Sequence, residues 1–130
     1  MPLKLLFNKN WNLMETTDIY TEQRPWGYFT ILAEGNGYKV KKILINPNQR
    51  LSLQKHMHRA EQWIVAEGSP YIVSDELAKT YNVGDNVFIA REAVHRIENR
   101  SNAPAVVIEV QIGSYLGEDD IIRLEDDYKR

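Results

Sequence analysis

Gln54-Lys55-His56-Met57-His58-Arg59-Ala60-Glu61-Gln62-Trp63 carries two of the three histidines in a chain of 130 residues, and the fold turns on how it is read. In an extended strand, side chains at i, i+2 and i+4 share one face. Gln54, His56 and His58 therefore point into one cavity, with Lys55 and Met57 pointing away. The chain has no cysteine. Neutral imidazole nitrogen and carboxylate oxygen are then the usual donors for zinc, manganese, iron or nickel. Two histidines two apart arise by accident in a polar strand about as readily as by function. The third histidine, His95, shifts that balance toward a metal site.

Around this stretch the chain reads as all-β. Turn signals recur at Asn36-Gly37, Asn46-Pro47-Asn48, Gly68-Ser69-Pro70, Asn82 to Asp85, Arg100 to Pro104 and Gly113, a spacing that suits a sandwich or barrel. Tyr38 to Ile45, Trp63 to Val65, Tyr71 to Val73, Val87 to Ile89 and Ala105 to Val110 are rich in β-branched and aromatic residues and are expected strands. Helix is expected only at the ends, around Leu13 to Thr21 and in the acidic tail Glu118 to Tyr128, where Ile121, Ile122 and Leu124 offer a small apolar face. Residues 1–23 read as an N-terminal extension and residues 24–130 as one barrel domain, the whole being one domain's worth of chain.

Composition narrows the class. Hydrophobic residues are 43% and charged residues 26% of the chain, which is ordinary for a globular protein and excludes a wholly disordered one. A net charge of −2 gives no nucleic-acid footprint. The apolar run Leu3 to Phe7 is too short for a signal peptide or a membrane span. Without disulfides or thiolate sites, a cytoplasmic protein with no nucleic-acid or membrane partner is expected.

Two segments resemble the motifs of the cupin superfamily. His56-x-His58 leads to Glu61 and, six residues further, to Gly68; Gly84, five residues on, leads through Ala90 and Glu92 to His95 and Asn99. The spacing matches, although cupins place Pro and Gly where this chain has Ala90 and Glu92. A narrower resemblance, from Arg24 to Arg130, is to the C-terminal domain of the bifunctional (type II) mannose-6-phosphate isomerase/mannose-1-phosphate guanylyltransferases. It rests on Arg24-Pro25-Trp26-Gly27, on Gln54 to Trp63 with Gln62 where the family has histidine, on Val94 to Asn99, and on the closing run Gly113 to Arg130. The guanylyltransferase part, with its Gly-rich nucleotide loop, has no counterpart here. The resemblance implies an all-β cupin double-stranded β-helix, a jelly-roll barrel with short helical or irregular terminal extensions.

The cupin spacing favours Gln54, His56, Glu61 and His95 as ligands of one divalent ion, zinc first, with manganese, iron, cobalt or nickel as alternatives. A second register takes His56, His58, Gln62 and His95 and leaves Glu61 free. The resemblance further implies a metal-dependent aldose–ketose isomerase, converting mannose 6-phosphate to fructose 6-phosphate through an enediol. His58 or Glu61 would carry the proton, with Arg123 as a further catalytic residue. Arg59, Arg96 and Lys41 would hold the phosphate; taken singly, each of these cations reads more readily as solvated surface charge. Other readings are a cupin acting on a different sugar phosphate or nucleotide-linked sugar, and a non-catalytic cupin that binds sugar or metal. A homodimer is expected, with the segment Met1 to Tyr20 covering or exchanging across a sheet edge.

Overall fold

The computed structural model describes residues 19–130, and every helix or strand among them is a β-strand. In chain order these are β1 (Tyr20–Arg24), β2 (Gly27–Gly35), β3 (Tyr38–Ile45), β4 (Leu53–Lys55), β5 (Arg59–Glu67), β6 (Tyr71–Ser74), β7 (Leu77–Thr80), β8 (Asn86–Ile89), β9 (His95–Glu98), β10 (Ala105–Gly113) and β11 (Ile122–Glu125). They form two antiparallel sheets, one of six strands in the order β1-β2-β3-β10-β5-β8 and one of five in the order β11-β4-β9-β6-β7. No helix among the described residues is long and apolar enough to cross a membrane.

Period-two burial explains the larger sheet. Along β3, Lys39, Lys41, Ile43 and Ile45 are buried while the residues between them are not. On β10 the inward set is Ala105, Val107, Glu109 and Gln111, and on β5 it is Arg59, Glu61, Trp63 and Val65. Strand register aligns these sets into rows: Ile43–Val107–Val65, then Lys41–Glu109–Trp63, then Lys39–Gln111–Glu61. One half of the interior is apolar, closed from the smaller sheet by Ile72 and Ile97. The other half is charged.

Two glycines are required by the backbone. Gly37 closes the β2–β3 hairpin at φ +84°. Gly27, at the corner after Arg24-Pro25-Trp26, lies so close to β3 that a Cβ there would sit 2.0 Å from the Leu44 carbonyl oxygen.

The ends depart from expectation. The six-stranded sheet already includes Tyr20, inside the segment set apart as an extension. Residues 1–18, including most of the helix expected over Leu13 to Thr21, lie outside the described residues. The tail is not helical: residues 122–125 form β11 on β4. A helix of about ten residues needs an apolar face to bury, yet Ile122 and Leu124 remain exposed. The free edge of β4 offers backbone partners instead.

Candidate metal centre

The centre sits where β4 gives way to β5. Gln54 on β4 lies opposite His95 on β9. After Lys55 the chain leaves the sheet, passes through a bend at Met57 and His58, and re-enters at Arg59. Asp120 holds that bend: its carboxylate accepts from the Met57 amide at 2.9 Å and the His58 amide at 3.0 Å. Its backbone carbonyl accepts from His56 Nδ1 at 2.6 Å. Because of the bend, strict alternation from Gln54 fails. His56 faces inward, Met57 and His58 face out, and Arg59, Glu61 and Trp63 resume the inward face.

Both inward histidines are fixed as the same tautomer. His95 Nδ1 donates to the Ala93 carbonyl at 2.8 Å, as His56 does to Asp120. A carbonyl can only accept, so the lone pair of each ring is on Nε2. Burial, then the charges of Arg59 and His95, pushes His56 down to about 4, and burial lowers His95 as well; both are neutral near pH 7. Glu61, 1% exposed, lies between them, with Oε2 3.2 Å from His56 Nε2 and Oε1 3.9 Å from His95 Nε2. Neutral Nε2 facing carboxylate oxygen is acceptor against acceptor, so these contacts are not salt bridges. A cation placed between them would satisfy both.

The donor set fits a metal ion. One ligand atom from each of His56, Glu61 and His95 lies within 4.8 Å of the others, and two donors on a tetrahedral zinc stand about 3.3 Å apart. Gln54 lines the same space, its amide nitrogen donating to Ser52 Oγ at 2.9 Å. Arg59 competes for these lone pairs: its Nε donates to Glu61 Oε2 at 2.7 Å, and its Nη2 lies 3.2 Å from His56 Nε2.

The remaining expected residues divide. His58 is exposed and packs edge-on to Tyr115; it cannot carry a proton in the cavity. Gln62 turns outward to Asn86, so the second register, His56, His58, Gln62 and His95, does not converge. Arg96 is buried and lines the inner space shared with Gln54, Glu61 and His95, but it is committed to the Leu51 carbonyl and to Glu125 and lies outside the cleft that holds Arg59. Lys41, Arg59 and Arg123 do line that cavity, a half-open cleft of about 570 Å³ with its mouth included, which also reaches His56 and Gln54. Lys41 pairs with Glu118 at 2.8 Å.

Two residues escaped the reading of the sequence. Glu109 on β10 lines the cleft, accepts from Trp63 Nε1 at 3.2 Å and Gln111 Nε2 at 2.7 Å, and is pushed up to about 7 by burial and by Glu61. Alternation through Ala105, Val107, Glu109 and Gln111 was the signal that could have found it. Asp120 had none, since its role is made by a contact 62 to 64 residues away in sequence.

Comparison with known proteins agrees with this architecture. The profile of a family described as mannose-6-phosphate isomerase C-terminal matches residues 11–126. The alginate biosynthesis protein AlgA of Pseudomonas aeruginosa is 44% identical over 116 residues, 89% of this chain and 24% of that protein. A mannose-1-phosphate guanylyltransferase of Salmonella muenchen is 43% identical over 102 residues, 78% of this chain and 22% of that protein. The chain thus spans about a quarter of the length of these curated relatives. Among solved structures, an RmlC-like cupin from Shewanella frigidimarina superposes with a TM-score of 0.68 at 18% identity, over 78% of this chain and 88% of that one. The fold is the cupin double-stranded β-helix.

The relatives correct the expected activity. They are named for guanylyl transfer to mannose 1-phosphate and for alginate biosynthesis, not for aldose–ketose isomerisation, and His58, first candidate for the proton carrier, lies outside the cleft. The mannose-6-phosphate isomerase assignment is withdrawn.

Proposed function

We propose, starting from the fact that this chain belongs to the mannose-6-phosphate isomerase C-terminal family, that it is a divalent-metal-binding cupin that holds a sugar phosphate of the mannose 1-phosphate class. On this reading it serves the chemistry for which its guanylyltransferase relatives are named. The observation that carries the proposal is the convergence of two neutral Nε2 lone pairs and the Glu61 carboxylate beside a cleft lined by cations. Arg59 satisfies part of this acceptor set, bonding Glu61 Oε2 and lying beside His56 Nε2, but no donor reaches His95 Nε2 among the described residues, and one ion would serve all three. His56, Glu61 and His95 would hold the ion, with Gln54 as the fourth donor. Zinc suits two nitrogens and two oxygens, and manganese, iron, cobalt or nickel would also fit.

When bound, the metal supplies a Lewis acid for a sugar oxygen. The chain supplies the rest: Trp63 and Asp120 orient the donors, and the cleft takes the anionic end of the ligand. A cytoplasmic setting, where sugar phosphates occur, belongs to this proposal. So does pairing of two copies, which the edge of β8, unpaired among the described residues and carrying exposed Phe88, supports.

Metal analysis and calorimetry test the reading. Purified protein should hold about one ion per chain, His95→Ala should hold none, and His58→Ala should match the wild type. Mannose 1-phosphate should bind, more tightly with metal than after chelation. Absence of mannose 1-phosphate binding with every divalent ion tried would refute it.

A further inference from the structure

The geometry points to a phosphate seat at the mouth of the cleft formed by Arg24, Arg123 and Arg130. This rests on the sugar-phosphate reading and says which end of the ligand lies where. Five cationic side chains line the cleft, and they are not equivalent. Lys41 is 5% exposed, lies 4.0 Å from the Phe29 ring centroid and is neutralised by Glu118. Arg59 is buried and neutralised by Glu61. Arg59 cannot meet a solvated dianion without giving up buried Glu61, which is costly; Lys41 is itself buried under the Phe29 ring, and its ammonium is held by the more exposed Glu118.

The other three are at the open end. Arg24 is the last residue of β1 and Arg123 lies on β11, so one edge strand from each sheet reaches the same cleft. Arg24 is bridged to Glu22 and leans over the Phe29 ring at 5.4 Å; Arg130 pairs with Asp126 at 2.9 Å. A guanidinium has five N–H donors and one carboxylate takes at most two of them well, so both keep free donors. Arg123 has no carboxylate partner among the described residues. Burial, then Arg130, lowers its affinity for its own proton, Asp126 opposes this, and Arg24 adds to it, so two like charges and one carboxylate act on the same spot. Three guanidinium groups facing one opening, one of them with no salt bridge among the described residues, match the fork geometry that grips phosphate oxygens. A phosphate held there leaves the sugar ring extending inward, toward His56 and Gln54.

The full chain is titrated by calorimetry with inorganic phosphate, mannose 1-phosphate and mannose. Arg123→Gln is the main variant, because removing an exposed, unpaired side chain leaves the core intact. Arg100→Gln, which pairs with Glu98 in a different cleft, is the control. Arg123→Gln should weaken inorganic phosphate and mannose 1-phosphate alike by about tenfold or more. Mannose binding and metal content should stay the same, and added salt should weaken the wild type more than the variant. Phosphate affinity unchanged in Arg123→Gln, or no phosphate binding by the wild type, would overturn the seat. Arg123-dependent binding of inorganic phosphate, with mannose 1-phosphate no tighter, would uphold the seat and refute the sugar-phosphate reading instead.

Discussion

The two halves of the barrel interior are built from the same three strands, and one step of register separates two chemistries. In one half Ile43, Val107 and Val65 share a row, with Ile45 and Ala105 beside them, all almost fully buried. Two residues along each strand, Lys41, Glu109 and Trp63 take the equivalent places, followed by Lys39, Gln111 and Glu61. These are buried as deeply. Each apolar side chain in the first half contributes about 1.5–3 kcal/mol through burial. Each charge in the second is a liability until it is paired. Since an apolar filling would fit the same strands, the charged half is kept for something other than stability. One half holds the barrel together, and the other, on the proposed function, holds donors and cations in place for a ligand.

This contrast can be broken from either side. The largest effect is expected at Ile45, fully buried in the apolar half. Ile45→Ala should cost about 3 kcal/mol in urea unfolding while the folded protein keeps its full metal content. Loss of metal from the folded variant would show that the two halves are not independent.

In the charged half, the probe is Glu109. Its folded-state value near 7 lies above the ordinary 4.5, so the folded protein holds that proton more tightly than the unfolded chain. The stabilisation is full below about 4.5 and is lost as pH rises through about 7, on the order of 3 kcal/mol in all. In metal-free protein, the difference in urea midpoint between wild type and Glu109→Gln should slope across that window. The neutral histidines act in the opposite sense, since His56 is lowered to about 4 and its contribution is lost as pH falls; Glu109 raises both His56 and His95, so their contribution cancels only in part in the difference. A difference that is flat with pH would remove Glu109 from the buried charges.

How much of this was legible follows the same division. Ile43, Ile45, Trp63, Ile72, Ile89 and Val107 all fall in expected strands, because apolar alternation is a local signal. His56, Glu61 and His95 were legible through motif spacing, and they do converge. What failed was local geometry without a local cause. The bend that ejects His58 is set by Asp120, far along the chain, and no strand periodicity can reveal it. Arg96 sat in a matched motif, yet Glu125 claims its guanidinium only once β11 has folded back. Glu109 was hidden differently. A lone acid in a run of valine and isoleucine reads as an outward residue unless its parity with Ala105 and Val107 is checked.

The smallest expected effect concerns the turn that delivers His95 into the charged half. Glu92, where cupins place glycine, has φ +69° and an exposed side chain, and its amide donates to the His56 carbonyl at 2.8 Å. The left-handed conformation costs a residue with a Cβ roughly 1–2 kcal/mol. Glycine removes that cost but gives back about 0.5–1 kcal/mol through the greater freedom of its unfolded chain. Glu92→Gly should therefore stabilise the protein by about 0.5–1 kcal/mol in thermal or urea unfolding, and leave metal content unchanged because the amide remains. Glu92→Ala keeps the strained backbone, so it should not stabilise. Equal stability of the two variants would mean that Glu92 bears no strain, and that the turn is held by the His56 hydrogen bond alone.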